Sequence, residues 1–279
     1  KFLKADGTWS TTPASSGYAW TVQSKTANYT AVANDYVKVD GTSGGFTITL
    51  PTAVGVSGQM IAVDRTDNTL ANTITIATTS SQTIDGASNK HCYTQNEKWV
   101  FVSDGSNWRV QSHEATTDWN TGTWTTGSTG GGTAPTKATS PAADIFAWRR
   151  DGSEITYKFI YAQTSSSGTA NGTNNYMITM PTGITFKTST SQIADTTTTA
   201  GRPNTSTVMG TGSHYSAADG SSGTNVVHLY DSTNLVVWFT GGTGQWWGTN
   251  TATSSYKLAS GNEIRVMLSG SGIHANWED

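Results

Sequence analysis

The chain has 279 residues, a formal net charge of −3 and charged side chains at only 13% of its positions. This composition argues against a nucleic-acid-binding protein, because such proteins carry an excess of basic residues. No apolar run reaches the roughly 18–20 residues that a membrane span needs. A single cysteine, Cys92, excludes an intramolecular disulfide framework and a Cys-rich metal site.

The remaining composition indicates an ordered, Thr-rich β protein. There are 51 Thr and 31 Ser, with 30 Gly, against 11 Trp, 10 Tyr and 7 Phe. Disordered chains are poor in aromatic and β-branched residues, so disorder is excluded as well. No stretch of ten residues has the apolar spacing of an amphipathic helix. The expected fold class is therefore all-β.

The first 19 residues are interpreted as a connecting segment. The chain opens on Lys1-Phe2-Leu3-Lys4, which has neither an initiator Met nor the apolar region of a signal peptide. We expect the chain to begin inside a longer product or after processing.

Residues 20–114 are predicted to form a small β-barrel or sandwich. Short alternating runs follow one another there, as in residues 46–50, where Phe, Ile and Leu alternate with Thr. Successive side chains of a strand point to opposite faces, so the threonines are expected on the solvent-exposed face. Asp-Gly pairs such as Asp104-Gly105 are interpreted as turns, because Asp tolerates unusual backbone angles and Gly supplies a positive φ.

Residues 115–140 are predicted to be a Gly/Thr-rich linker, since they are poor in apolar residues. We expect Trp119 and Trp124 within it to pack onto a domain or a partner chain. Residues 141–279 are predicted to form a jelly-roll-like β-sandwich. Its strand 155–161 places Ile155, Tyr157, Phe159 and Tyr161 on the inner face, and longer loops are expected at 162–175, 188–225 and 240–255.

The sequence offers no catalytic or metal-binding constellation, so we expect no enzyme activity, no cofactor and no metal. Most acidic residues lie in turn contexts instead of forming the carboxylate pair that a glycosidase requires. The five histidines have no HxxxH or HExxH spacing. Residues 130–132 are three glycines that precede no helix, and we interpret them as a flexible joint.

Two short segments are candidates for binding sugars. Trp246 and Trp247 are adjacent in a Gly-rich loop, and consecutive residues of an extended chain face opposite ways, so both rings are difficult to bury in one core. An exposed indole beside Asn, Gln and Thr suits stacking on a sugar ring. The alternative is that both rings pack under their own loop or against a neighbouring subunit. His214 and Tyr215 form a second pair of this kind in the 188–225 loop.

Several segments resemble bacteriophage virion proteins. Residues 2–9, FLKADGTW, resemble the FLxxDGTW segment of tail-fibre proteins. The phrases TITLP, NTITI, TIDG and SDGSNW between residues 47 and 108 resemble a small β domain of phage structural proteins. The second half resembles, through residues 148–152 (WRRDG), 180–184 (MPTGI) and 273–277 (IHANW), the β-sandwich heads of receptor-binding and decoration proteins.

The resemblance implies a virion fibre or decoration protein that is exposed on the particle surface and contacts other virion proteins. We expect it to be a homotrimer. Its distal domain is expected to bind host surface glycan, with no nucleic acid and no membrane insertion. Two alternatives remain open: a purely structural capsid decoration or head-fibre protein, and a carbohydrate-active enzyme or stand-alone lectin.

Overall fold

A computed structural model describes residues 2–3, 9–10, 19–129, 134–163, 176–188, 208–216, 220–239, 245–247, 264–275 and 277. These residues form strands, turns and irregular segments without an α-helix, which confirms the predicted all-β fold class. The chain divides into two compact units. Unit 1 comprises Lys1–Asp67, Asn72–Cys92 and Lys98–His113, and unit 2 comprises Asn68–Ala71, Tyr93–Glu97 and Glu114–Asp279.

The first eleven strands are β1 (Phe2–Leu3), β2 (Trp9–Ser10), β3 (Thr21–Lys25), β4 (Tyr29–Thr30), β5 (Asp35–Val39), β6 (Thr47–Leu50), β7 (Met60–Arg65), β8 (Ile74–Thr78), β9 (Asn89–Cys92), β10 (Lys98–Ser103) and β11 (Trp108–Glu114). The other ten are β12 (Asn120–Gly122), β13 (Thr125–Ser128), β14 (Ala143–Asp151), β15 (Glu154–Gln163), β16 (Tyr176–Thr179), β17 (Val208–Ser216), β18 (Ser221–Asp231), β19 (Asn234–Phe239), β20 (Gln245–Trp246) and β21 (Ile264–Ile273).

In unit 1 the chain alternates between two sheets. One sheet has the order β11-β10-β7-β5-β3 and the other β4-β6-β8-β9, so β3 to β8 go to the two sheets in turn. The pairs β3–β5, β5–β7, β4–β6 and β6–β8 are parallel. Parallel neighbours need a crossover connection, and here a strand of the opposite sheet supplies it. The chain therefore winds back and forth between the two sheets, and their side chains form one hydrophobic core.

The core of unit 1 follows the predicted alternation. Ile48 and Leu50 on β6 are fully buried, as are Trp108 and Cys92. The turn before Trp108 is held by the Asp104 carboxylate, whose Oδ1 accepts the backbone N–H groups of residues 106 and 107 at 2.9 and 2.7 Å. The segment SDGSNW therefore acts as a turn that delivers a core indole.

Unit 2 is built on one antiparallel sheet that curls upon itself. Its order is β12-β14-β15-β21-β17-β18-β19-β16-β13, and β20 pairs with β19. The two outermost strands, β12 and β13, are joined in the chain by only Thr123 and Trp124. The Trp124 ring lies 4.8 Å from the Phe159 ring and 5.5 Å from the Tyr161 ring on β15. Because two residues connect the strands at opposite ends of the strand order, these ends must lie close together, and the sheet must curl. Its concave inner face encloses the core.

The inner face of unit 2 carries the residues that the alternation of β15 predicts. Ile155, Tyr157, Phe159 and Tyr161 are all fully buried, which confirms that prediction. The intervening residues point to the opposite side of the sheet, because the side-chain period of a strand is two. We call that opposite side the outer face.

Residues 115–140 do not form a linker in the part that the structure describes. β12 pairs with β14 and β13 pairs with β16, so this segment supplies both outermost strands of the sheet. Trp124 is 1% exposed in the core of unit 2. The linker prediction was wrong because short outermost strands need few apolar residues when only one indole has to be buried.

A buried ion pair stabilises unit 2 next to β14. Arg150 Nη1 lies 2.5 Å from Glu97 Oε2, and both side chains are fully buried. The guanidinium lies 4.7 Å from the Trp277 ring centroid, and the backbone N–H groups of Tyr93 and Thr94 donate to the same carboxylate. The C-terminal Trp is thus part of the structural core.

Candidate functional site

Trp247, one member of the predicted sugar-binding pair, lies in the core of unit 2. It is 1% exposed, and its ring centroid lies 5.8 Å from that of Tyr176 and 6.4 Å from that of Phe239. Its backbone N–H donates to the Val237 carbonyl and its carbonyl accepts the Tyr176 N–H. Because the indole is enclosed by these rings, Trp247 presents no ring face to a sugar.

Trp246 precedes it on β20, where its backbone pairs with Trp238 of β19. The side chain of Trp246 lies outside the described residues.

His214 and Tyr215 lie on β17 and not in a loop as predicted. His214 is 4% exposed; its ring stacks on Phe239 with 4.2 Å between centroids, and its Nδ1 is 2.5 Å from Asn225 Oδ1. Tyr215, the next residue, is 40% exposed. Strand alternation separates the pair, with His214 stabilising the core and Tyr215 on the outer face.

Tyr215 borders a groove on the outer face. The groove has a volume of about 510 Å³ and is lined by residues of three neighbouring strands, β15, β21 and β17. Exposed lining side chains include Met267, which is 52% exposed, and Arg265. A concave surface with an aromatic, an apolar and a cationic side chain is a usual setting for ligand binding.

The registers of four strands arrange the outer face in rows. β14 pairs with β15, β15 with β21, and β21 with β17, each antiparallel. Three consecutive rows of outward side chains follow from these registers: Ala143-Ala162-Arg265-Tyr215, Ile145-Ile160-Met267-Ser213 and Ala147-Lys158-Ser269-Thr211. Four residue steps along β15, from Lys158 to Ala162, and three spacings between four strands give a surface about 13 Å by about 14 Å.

A second exposed aromatic ring lies beside the third row. Trp119 is 40% exposed, the Lys158 Nζ lies 4.4 Å from its ring centroid, and the Arg149 guanidinium carbon lies 5.4 Å from it. Trp119 immediately precedes β12, and the pairing of β12 with β14 and of β14 with β15 brings these three residues together. The outer face therefore has a ring at each end, Trp119 and Tyr215.

The chemistry of this face is that of binding. Aromatic rings can stack on the CH faces of a ligand, the hydroxyls of Ser213, Ser269 and Thr211 can donate or accept hydrogen bonds, and the cations can pair with anions. The titratable groups whose pKa values are shifted furthest from their ordinary values are buried and do not lie on the outer face. Burial raises the pKa of Tyr157 and lowers the pKa of His274 to about 4. Within the described residues, no group of three or more His, Cys, Asp or Glu side chains could hold a metal ion.

Sequence patterns did not single out Lys158 and Arg149, and they predicted only that Trp119 packs onto a domain or a partner chain. Lys158 and Arg149 occupy the polar positions of alternating strands, which is the usual place for solvated charges. Trp119 was assigned to a linker. The available signal was that a Trp near a low-apolar segment needs either a partner or a function.

No protein-family model matches the chain, and no curated protein matches it. Across the described parts of the chain, no helix has the length and apolar character to cross a membrane.

Proposed function

We propose that the chain is a phage virion surface protein of the fibre or decoration type. It forms a homotrimer, and the homotrimer contacts other virion proteins. Unit 2 binds a host surface glycan. The proposed role is adhesion and not catalysis. The particle surface is its proposed location.

The virion part of the proposal is supported by sequence resemblance. FLKADGTW at residues 2–9 and SDGSNW at 103–108 resemble segments of phage structural proteins. The Thr-rich, charge-poor strands also suit a particle component that persists outside the cell without disulfides, since Cys92 is the single cysteine.

The adhesion part depends on one observation, the outer face of unit 2. Two exposed aromatic rings flank rows that contain hydroxyl side chains and the groove of about 510 Å³. Exposed rings combined with hydrogen-bonding groups suit a sugar, whose CH faces stack and whose hydroxyls form hydrogen bonds.

A polysaccharide array probed with the purified chain tests adhesion. We expect binding to host surface polysaccharide, and a reduction of about tenfold for each of Trp119→Ala and Tyr215→Ala, because truncating an aromatic residue at a binding hot spot costs at least 1–2 kcal/mol. Trp20→Ala is the matched control, since Trp20 is 36% exposed in unit 1. Absence of glycan binding would contradict adhesion and favour a purely structural decoration protein.

Two further measurements test the remaining parts. Light scattering after size exclusion should give three times the 29.5 kDa chain mass, and a mass equal to one chain would contradict the trimer. Antibodies against the chain should label particles of the phage that encodes it, and unlabelled particles would contradict the virion location.

A further inference from the structure

We infer that the ligand of the outer face is an acidic polysaccharide, bound through its carboxylate or sulfate groups by Lys158 and Arg149 beside Trp119. This inference depends on the proposed glycan-binding function and adds the chemical class of the ligand.

Two lysines of unit 2 lie over indole rings. Lys137 Nζ is 4.4 Å from the Trp124 ring centroid, and Lys158 Nζ is 4.4 Å from the Trp119 ring centroid. Lys137 also forms an ion pair with Asp144 at 2.7 Å. Among the described residues, Lys158 has no carboxylate within ion-pair distance. The same cation–ring arrangement is therefore neutralised at Trp124 and keeps its positive charge at Trp119.

Arg149 adds a second positive charge at the Trp119 ring. Arg149 pairs in register with Thr156 on β15, so it is a diagonal neighbour of Lys158. Like charges on adjacent positions of a sheet repel each other and destabilise it. Within the described chain, Arg149 also has no carboxylate partner, in contrast to its neighbour Arg150, which is paired with Glu97. An anion between the two cations would relieve this repulsion.

The outer face next to Lys158 and Arg149 is poor in negative charge. None of the twelve outward side chains in the three rows defined above is Asp or Glu. The exposed carboxylates of Asp151 and Glu154 lie on the same face one row beyond Arg149, whereas the row of Lys158 and the two rows beyond it hold cations without carboxylates and so attract anionic ligands. The exposed Trp119 ring supplies a stacking surface next to the charges, and the hydroxyls of Ser269 and Thr211 extend along the row. A sugar that carries an anionic group satisfies all three features together.

The experiment compares the intact chain with two double variants. Lys158→Gln/Arg149→Gln removes the proposed charges, and Lys38→Gln/Lys187→Gln removes two exposed lysines that lie outside the outer face. The probes are polygalacturonate, its carboxyl-reduced neutral form, chondroitin sulfate and double-stranded DNA. Titration calorimetry at about 50 and 200 mM salt measures each affinity, and denaturation curves verify that both variants are folded.

We expect polygalacturonate or chondroitin sulfate to bind and the carboxyl-reduced polymer to bind weakly. The Lys158/Arg149 variant should lose about tenfold in affinity, which is the upper range for two exposed charges, and the control variant less than about twofold. Preference for the uronate or the sulfated polymer identifies the anionic group.

Other outcomes would overturn the inference. Equal binding of the neutral polymer, unaffected by Lys158→Gln/Arg149→Gln, would refute the acidic ligand and leave glycan adhesion intact. Equal binding of DNA would show that the face attracts any polyanion. Binding of no polysaccharide would refute both this inference and the proposed function. A change in oligomeric mass on Lys158→Gln/Arg149→Gln would assign the face to a second copy of the chain.

Discussion

The two faces of the unit 2 sheet use the same residue types for different purposes. On the inner face, Trp124 and Trp247 are each 1% exposed and pack against other rings, whereas on the outer face Trp119 is 40% exposed beside two cations. Arg149 and Arg150 are adjacent in the chain, yet one is exposed on the outer face and the other is buried against Glu97. Residue type alone therefore does not indicate function in this sheet. The face on which a side chain lies separates the residues that stabilise the core from those that we propose to bind a ligand.

The largest expected effect comes from truncating an inner-face indole. Trp247→Ala should reduce the free energy of unfolding by about 3–5 kcal/mol, because it leaves a large cavity among Phe159, Tyr176 and Phe239. Guanidinium denaturation followed by circular dichroism measures it, with separate transitions fitted for the two units. Trp119→Ala is the outer-face control. Comparable losses in both variants would eliminate the distinction between the faces.

The adjacent arginines give the next largest contrast. Arg150→Ala leaves Glu97 buried without its cation, but two backbone N–H groups still donate to the carboxylate. We therefore expect a loss of about 3 kcal/mol, at the lower end for a broken buried pair. Arg149→Ala should change stability by less than about 0.5 kcal/mol, as exposed substitutions do. The same denaturation experiment checks both, and a small effect of Arg150→Ala would argue against a structural role.

Acidification should reduce the free energy of unfolding, because the buried side chain of His274 resists protonation in the folded state. Burial lowers the pKa of this residue to about 4 in the folded state, below the ordinary value of about 6.5. The unfolded chain then binds more protons between these values, so stability is greatest above pH 6.5 and is lost as the pH falls toward 4. Between pH 7.5 and 5 the loss should be about 2 kcal/mol.

Unfolding at several pH values measures this loss, and His274→Gln should remove most of it. Burial also lowers the pKa of His228, which contributes in the same direction. An unchanged pH profile in the His274→Gln variant would contradict the assignment.

Truncating the outer-face rings is also expected to have a small effect on stability. Trp119→Ala and Tyr215→Ala should each cost less than about 1 kcal/mol in unfolding free energy, because both rings are already partly in water. Denaturation curves that overlap the wild type, together with weakened glycan binding, would sharpen the separation between the faces. A loss above about 3 kcal/mol would assign either ring to the core instead.

Local alternation predicted much of the fold but not the candidate face. The inner positions of β15 could be predicted because apolar residues recur at every second position from Ile155 to Tyr161. β12 and β13 could not, since each is short and lies in a Gly/Thr-rich segment with one buried indole. Trp119, Arg149 and Lys158 come together only through the pairing of three strands, and a register between distant segments is not encoded in any local pattern. The strand that carries His214 and Tyr215 was assigned to a loop, because its pairing with β21 is likewise not encoded in a local pattern.

Hydroxyl-radical footprinting of the intact chain, with tryptophan oxidation measured by mass spectrometry, tests the role of the outer face most directly. Trp119 and Trp20 have similar exposures, 40% and 36%, and Trp247 is buried. In the free chain, Trp119 and Trp20 should oxidise at similar rates and Trp247 much more slowly. Saturating polysaccharide should protect Trp119 and leave Trp20 unchanged. If oxidation of Trp119 is the same with and without bound polysaccharide, the outer face of unit 2 is not the glycan-binding surface.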